Sequence, residues 1–112
     1  MQKKCVTQLL LDGTADGRIK CTLANWTGVA YRVPRPLLER CDSRREFHQS
    51  GVYFLFGVSD QTNKPMVYVG KAAVRQNGKG ILQRLKEHLQ DAHEAYWNQA
   101  VIFITSNNSF GL

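Results

Sequence analysis

The chain has 112 residues, with 15 lysines and arginines against nine acidic residues, for a net charge of +6. That length suits one domain, or one domain with a small extension, and 43% hydrophobic content supports a modest core and excludes a disordered chain. No apolar run approaches the roughly 20 residues that span a bilayer, and MQKKCVTQLLLDG lacks a small-residue cleavage site, so a cytoplasmic protein is expected.

Cys5, Cys21 and Cys41 are odd in number, widely spaced and free of any C-x-x-C pair. This argues against both a disulfide framework and a cysteine-based zinc site. Asn25-Trp26-Thr27 and Asn107-Asn108-Ser109 match the glycosylation sequon, which carries no meaning without export. The positive charge favours a polyanionic partner but does not by itself single out nucleic acid.

In chain order, Cys5–Leu11 is apolar enough for a strand, and Asp12–Gly17 carries turn signals. Arg18–Leu23 alternates, with Ile19, Cys21 and Leu23 facing one way. After Gly28 the alternation returns at Val29, Tyr31 and Val33. Residues 1–33 therefore read as a small antiparallel sheet of up to three strands. Pro34 ends it, and Pro36 suits the first position of a helix over Pro36–Phe47 that buries Leu37, Leu38, Cys41 and Phe47. Arg32, Arg35, Arg40, Arg44 and Arg45 crowd this region. With Glu39, Asp42 and Glu46 offsetting them, a solvated face is favoured over an accessory phosphate-binding surface. Trp26 and Trp97 sit in short apolar contexts and are read as packing residues rather than base-stacking platforms.

The second half opens with Gly51–Lys71, GVYFLFGVSDQTNKPMVYVGK. Val52–Val58 is dominated by β-branched and aromatic residues, Ser59–Pro65 is a turn, and Met66–Val69 returns as a second strand that stops at Gly70. Ala72–Gly80 reads as a loop with basic residues Arg75 and Lys79; Gly78-Lys79-Gly80 lacks the flanking residues of a P-loop. A helix is expected over Ile81–Tyr96, with Ile81, Leu82, Leu85, Leu89 and Ala92 as its apolar stripe and Arg84 and His88 on its flank. Ala100–Thr105, nearly continuous in apolar character, predicts a central strand. Ser106–Ser109 is a polar cluster of the kind that caps a further helix.

These elements gather chemistry. Tyr53 and Tyr68 fall on neighbouring strands, Gly70 lets a ligand approach the backbone, and Lys71 follows. Arg84 and His88 are one helical turn apart. Two phenols, an ammonium, a guanidinium and an imidazole suit a phosphate. Arg75 and Lys79 could extend the charge, although a plain surface insertion serves equally well. His88 and His93 are five apart and make a poor metal pair, and His48 belongs to a linker.

Gly51-Val52-Tyr53, Tyr68-Val69-Gly70-Lys71, Arg84 and His88, in that order, resemble the GIY-YIG nuclease superfamily over about residues 51–111. The resemblance implies an α+β fold: a small antiparallel sheet of about three strands flanked by helices, at 51–112. Residues 1–50 then form a β-rich N-terminal extension ending in a helix. It implies a metal-dependent endonuclease acting on DNA, with Mg²⁺ as the expected divalent ion. Tyr53 would be the general base or water-orienting group, its phenol pKa lowered by Lys71 and Arg84. Arg84 would clamp the phosphate bidentately, Tyr68 would hydrogen-bond the phosphate or its water, and His88 would assist proton transfer. Gly70, Lys71, Arg75 and Lys79 would bind substrate phosphate.

The family's metal ligand is a glutamate on the helix after the third strand. Here SNNSFGL follows Thr105 without a carboxylate, so no metal ligand is assigned. The expectation is an excerpt of a longer chain, ahead of a degenerate, non-cutting relative. Two other readings stand: a non-catalytic nucleic-acid-binding module, and a protein-interaction scaffold in which the tyrosines are core. Oligomeric state is left open.

Overall fold

The computed structural model describes residues 6–23, 27–73, 80–89 and 96–105. Its strands fall where β-branched and aromatic residues concentrate: β1 Val6–Leu10, β2 Ile19–Leu23, β3 Gly28–Pro34, β4 Gly51–Val58, β5 Pro65–Ala72 and β6 Trp97–Thr105. All neighbouring strands are antiparallel and form one sheet in the order β1-β2-β3-β6-β4-β5. The expected fold, a three-stranded sheet flanked by helices, is therefore overturned. The molecule is mainly sheet, twice as wide in strands as anticipated.

The cause is one long-range pairing. β3 hydrogen-bonds β6 from Gly28↔Thr105 to Pro34↔Gln99, so the N-terminal strands continue the same sheet as the Gly51–Lys71 hairpin. β6 pairs on its other side with β4 and is central, as its apolar run implies. A bulge between Phe56 and Gly57 shifts that register, and Gly57 packs directly against the Tyr96 carbonyl, where a Cβ would collide.

The helix expected at Pro36–Phe47 is also corrected. Two 3₁₀ segments, Arg35–Ser43 and Arg45–His48, stand there, separated by extended backbone at Arg44. Buried Leu38 and Cys41, three apart in the first segment, fall on one side of a three-residue 3₁₀ turn, and Phe47 is buried from the second segment. The α-helix α1 spans Ile81–His88. Its first N–H, at Ile81, donates to the Gln49 carbonyl at 2.8 Å. Gly80 makes that approach possible, since a Cβ there would strike the Gln49 oxygen. The helix expected to run to Tyr96 is corrected at both described positions beyond His88, since Leu89 is the C-cap of α1 and Tyr96 is a turn residue ahead of β6; residues 90–95 lie outside the described residues. Among those described, no helix is long and apolar enough to cross a membrane.

One face of the sheet carries Tyr31, Val33, Tyr53, Leu55, Ala100 and Ile102, all buried beneath the 3₁₀ segments and α1. Arginines brace this layer from its edges. Arg18, buried beside Asp12, hydrogen-bonds that carboxylate at 2.8 Å and the Arg40 carbonyl at 3.0 Å, tying the β1–β2 turn to the first 3₁₀ segment. Arg35 lies 4.4 Å over the Trp97 ring and donates to the Trp97 and Leu89 carbonyls. Arg44 pairs with Glu46 at 2.7 Å. Within the arginine-rich stretch Arg35 and Arg44 are engaged in these contacts while Arg40 and Arg45 stay exposed, and Trp97, 1% exposed, is a core residue. Trp26 lies outside the described residues.

Candidate functional site

The site forms where β4, β5 and α1 meet on the helix-covered face. Tyr53 sits opposite Gly70 in the β4–β5 register. A Cβ on Gly70 would collide with Cζ and Oη of Tyr53, so the missing side chain is what lets the ring cross β5. Beyond β5 the phenol reaches α1. Its Oη lies 2.7 Å from Nε2 of His88, in a buried hydrogen bond whose donor depends on the imidazole tautomer.

Tyr68 completes a triangle of rings. Its centroid is 6.3 Å from that of Tyr53 and 5.1 Å from that of His88, with Tyr53 and His88 5.4 Å apart. Tyr53 and His88 are only 1% and 2% exposed, whereas Tyr68 is half-buried and forms the outer wall. His88 therefore belongs to the buried stripe of α1, with Ile81, Leu82 and Leu85, rather than to its flank. A histidine there is legible only once Tyr53 is known to meet it.

Arg84 stands one turn before His88 at the half-exposed rim, where its Nη1 donates to Oε1 of Glu87 at 3.0 Å. Glu87 was not assigned a role from sequence; its i,i+3 spacing from Arg84 was the available signal. The environment holds the Tyr53 phenol above its usual pKa, contrary to the lowered value expected. Burial is the largest cause, with neighbouring Tyr68 and Glu87 adding to it, while the charge and hydrogen bond of Arg84 pull the other way. The Arg84 guanidinium is itself held more firmly protonated, first by its hydrogen bond to Glu87 and also by Tyr53.

Lys71 is not brought to this group. It pairs in register with Val52, so strand alternation puts it on the opposite face of the sheet, exposed. Arg75 and Lys79 lie outside the described residues, as do His93 and the Ser106–Ser109 cluster. The structure thus assembles Tyr53, Tyr68, Gly70, Arg84 and His88 and leaves Lys71 apart.

The donors here do not fit a resident Mg²⁺. Such an ion takes carboxylate and water oxygens. The described residues instead place a phenol bonded to an imidazole and a single carboxylate already paired with arginine. Among them no three His, Cys, Asp or Glu side chains gather to hold a metal. No family model, curated protein or solved structure matches the chain.

Proposed function

We propose that this chain carries the phosphate-handling part of a GIY-YIG-type endonuclease site that hydrolyses phosphodiester bonds in DNA, in the cytoplasm. The observation that supports this best is the convergence of Tyr53, Tyr68 and His88 over Gly70, with a guanidinium at the mouth.

Arg84 binds the phosphate through two parallel N–H donors and exchanges Glu87 for it. Tyr68, half-buried, lines the approach. Tyr53 is a neutral phenol at pH 7, because burial raises its pKa, so it passes a proton rather than storing one. As the attacking water loses its proton to Oη, the phenol proton moves to Nε2 of His88 across the 2.7 Å bond. The water oxygen bonds to phosphorus, one ester P–O bond breaks with its electron pair on the leaving oxygen, and the proton held on His88 returns by way of Tyr53 to that oxygen. Since the described donors do not fit a metal, the chemistry assigned to this chain is confined to phosphate binding and proton transfer.

The test is nicking of supercoiled plasmid and of single-stranded DNA with Mg²⁺ or Mn²⁺, comparing the chain with Arg84→Ala. The expected loss in rate is about 10²-fold or more, the scale on which one transition-state donor acts. Nicking indifferent to Arg84 would sink the proposal. A second reading, a nucleic-acid-binding module without cleavage, is favoured by the lack of a metal-holding cluster among the described residues. It predicts salt-dependent binding that weakens in Arg84→Ala, with no nicking. If Arg84→Ala changes neither, a scaffold domain remains.

A further inference from the structure

The sheet ends in two edge strands, β1 and β5, and they differ in how they meet water. β5 opens at Pro65 and carries Lys71, both of which hinder another strand from pairing. β1 has neither device. Its VTQLL holds no charge and no proline, and its register with β2 runs without a bulge. All five residues are exposed, Val6 at 57% and Leu9 at 56%, and among the described residues β2 is their one neighbouring strand. The Leu11 N–H donates to the Arg18 carbonyl at 2.9 Å, so by antiparallel alternation Thr7 and Leu9 are the residues that bond β2. The N–H and C=O groups of Val6 and Gln8, with the Leu10 N–H, therefore point outward from the edge. The Leu10 carbonyl accepts the Gly13 N–H at 3.2 Å.

We propose that the β1 edge takes an extended acidic peptide of another protein as a further antiparallel strand, with its glutamates drawn to Lys20. The outward row of alternating donors and acceptors is matched by the main chain of a strand. The register then sorts the peptide's side chains by face. Residues that bond Val6 and Gln8 share the face of those side chains, where apolar ones cover Val6 and Leu10. The intervening residues lie beside Thr7 and Leu9, on the face that holds Lys20 and Thr22. A cleft of about 240 Å³ stands there, lined by Thr7, Gln8, Leu9, Lys20 and Thr22. It is smaller than the roughly 300–1,000 Å³ of small-molecule sites and suits one long side chain. A peptide residue opposite Leu9 is two strand spacings, about 10 Å, from Lys20, a span that a glutamate and the lysine together cover. Lys20 is the one charged residue of β1 and β2, and the net charge of +6 adds long-range attraction for an acidic strand. A second copy is the poorer occupant. Paired about Gln8, it would set Val6 of each chain against Leu10 of the other, whose carbonyl is already bonded. The Tyr53 cluster is built on β4, β5 and α1, so this proposal does not depend on it.

The probe is a dye-labelled peptide of about seven residues, alternating valine with glutamate, long enough to span β1. Fluorescence anisotropy with the full chain should show saturable binding. N-methylation of the valines blocks the amides that face β1 and should weaken binding at least about tenfold. N-methylation of the glutamates, whose amides face water, should spare it. Gln8→Pro removes an outward donor without touching a β1–β2 bond and should weaken binding to a similar degree. Far-UV circular dichroism verifies that the sheet survives, and the methylated pair decides alone if Gln8→Pro fails to fold. Lys20→Glu should weaken binding severalfold at low salt and less at about 1 M salt, where screening acts within about 3 Å. No binding overturns the proposal, as does unchanged affinity in either folded variant. Equal binding by the two methylated peptides also overturns it, since charge alone would then hold the peptide. So does sedimentation showing a dimer of the chain that Gln8→Pro dissociates, because the occupant would then be a second copy.

Discussion

At the scale of single residues, the pair that matters most is Tyr53 and His88, each almost wholly removed from water and bonded to the other at 2.7 Å. Tyr53→Phe removes the phenol oxygen and leaves the imidazole nitrogen without that partner in an apolar layer. It should cost about 0.5–1.5 kcal/mol in urea unfolding, the net worth of one intramolecular hydrogen bond. On the proposed function it should also abolish nicking while DNA affinity, which rests on Arg84, holds. An equal fall in affinity would place Tyr53 in binding rather than proton transfer. A second residue-level prediction concerns acid. Asp12 is held down from 3.8 to about 2, first by the Arg18 side-chain hydrogen bond and then by the Arg18 backbone N–H, against the opposing effect of burial. Because the folded pKa lies below the unfolded one, the carboxylate stabilises the fold above about pH 4, and that contribution drains away as pH falls towards 2. Asp12→Asn should therefore lower the melting temperature at pH 7 and flatten its decline between pH 4 and pH 2. A parallel decline in both proteins would mean other carboxylates set the acid limb.

At the scale of elements, the β4–β5 hairpin positions the site and Gly70 decides whether it can form. Gly70→Ala places a methyl group where the Tyr53 ring now lies. The sheet should persist by far-UV circular dichroism. The near-UV tyrosine signal should change, and stability should drop by about 1–3 kcal/mol from overpacking. An unchanged near-UV spectrum would show that the ring has another seat. This hairpin was legible in the chain, because the strands carry β-forming residues and Ser59–Pro65 carries turn formers. The 3₁₀ segments were not. Leu38, Cys41 and Phe47 are apolar at spacings that three and 3.6 residues per turn both tolerate over short lengths, and only packing against β3 and α1 distinguishes them. His88 illustrates the same ambiguity on α1. A helical wheel that counts Leu89 and Ala92 rotates the stripe away from it, whereas the buried set Ile81, Leu82, Leu85 and His88 turns it inward.

At the scale of the whole molecule, the β3–β6 ladder joins segments about seventy residues apart and makes one core from both halves. A chain cut to residues 51–112 would strip β6 of a neighbour and remove Tyr31, Val33, Leu38, Cys41 and Phe47 from that core. It should show no cooperative thermal transition, whereas the full chain should melt in one. A sharp transition in the short chain would mean that residues 1–50 are a dispensable extension.

Local signals determined much of this protein from sequence. Strand-forming composition placed the six strands to within a few residues, the apolar run of β6 implied its central position, and the ordered tyrosines, Gly70, Arg84 and His88 marked the candidate site. Tertiary structure alone decided which strands are neighbours, because antiparallel pairing of distant segments leaves no periodic trace in either. It alone decided the pKa of Tyr53, since burial under Tyr68 and α1 outweighs the arginine whose presence the sequence does reveal. And it separated Lys71 from the cluster it follows in the chain, because on a strand the next residue always faces the other way.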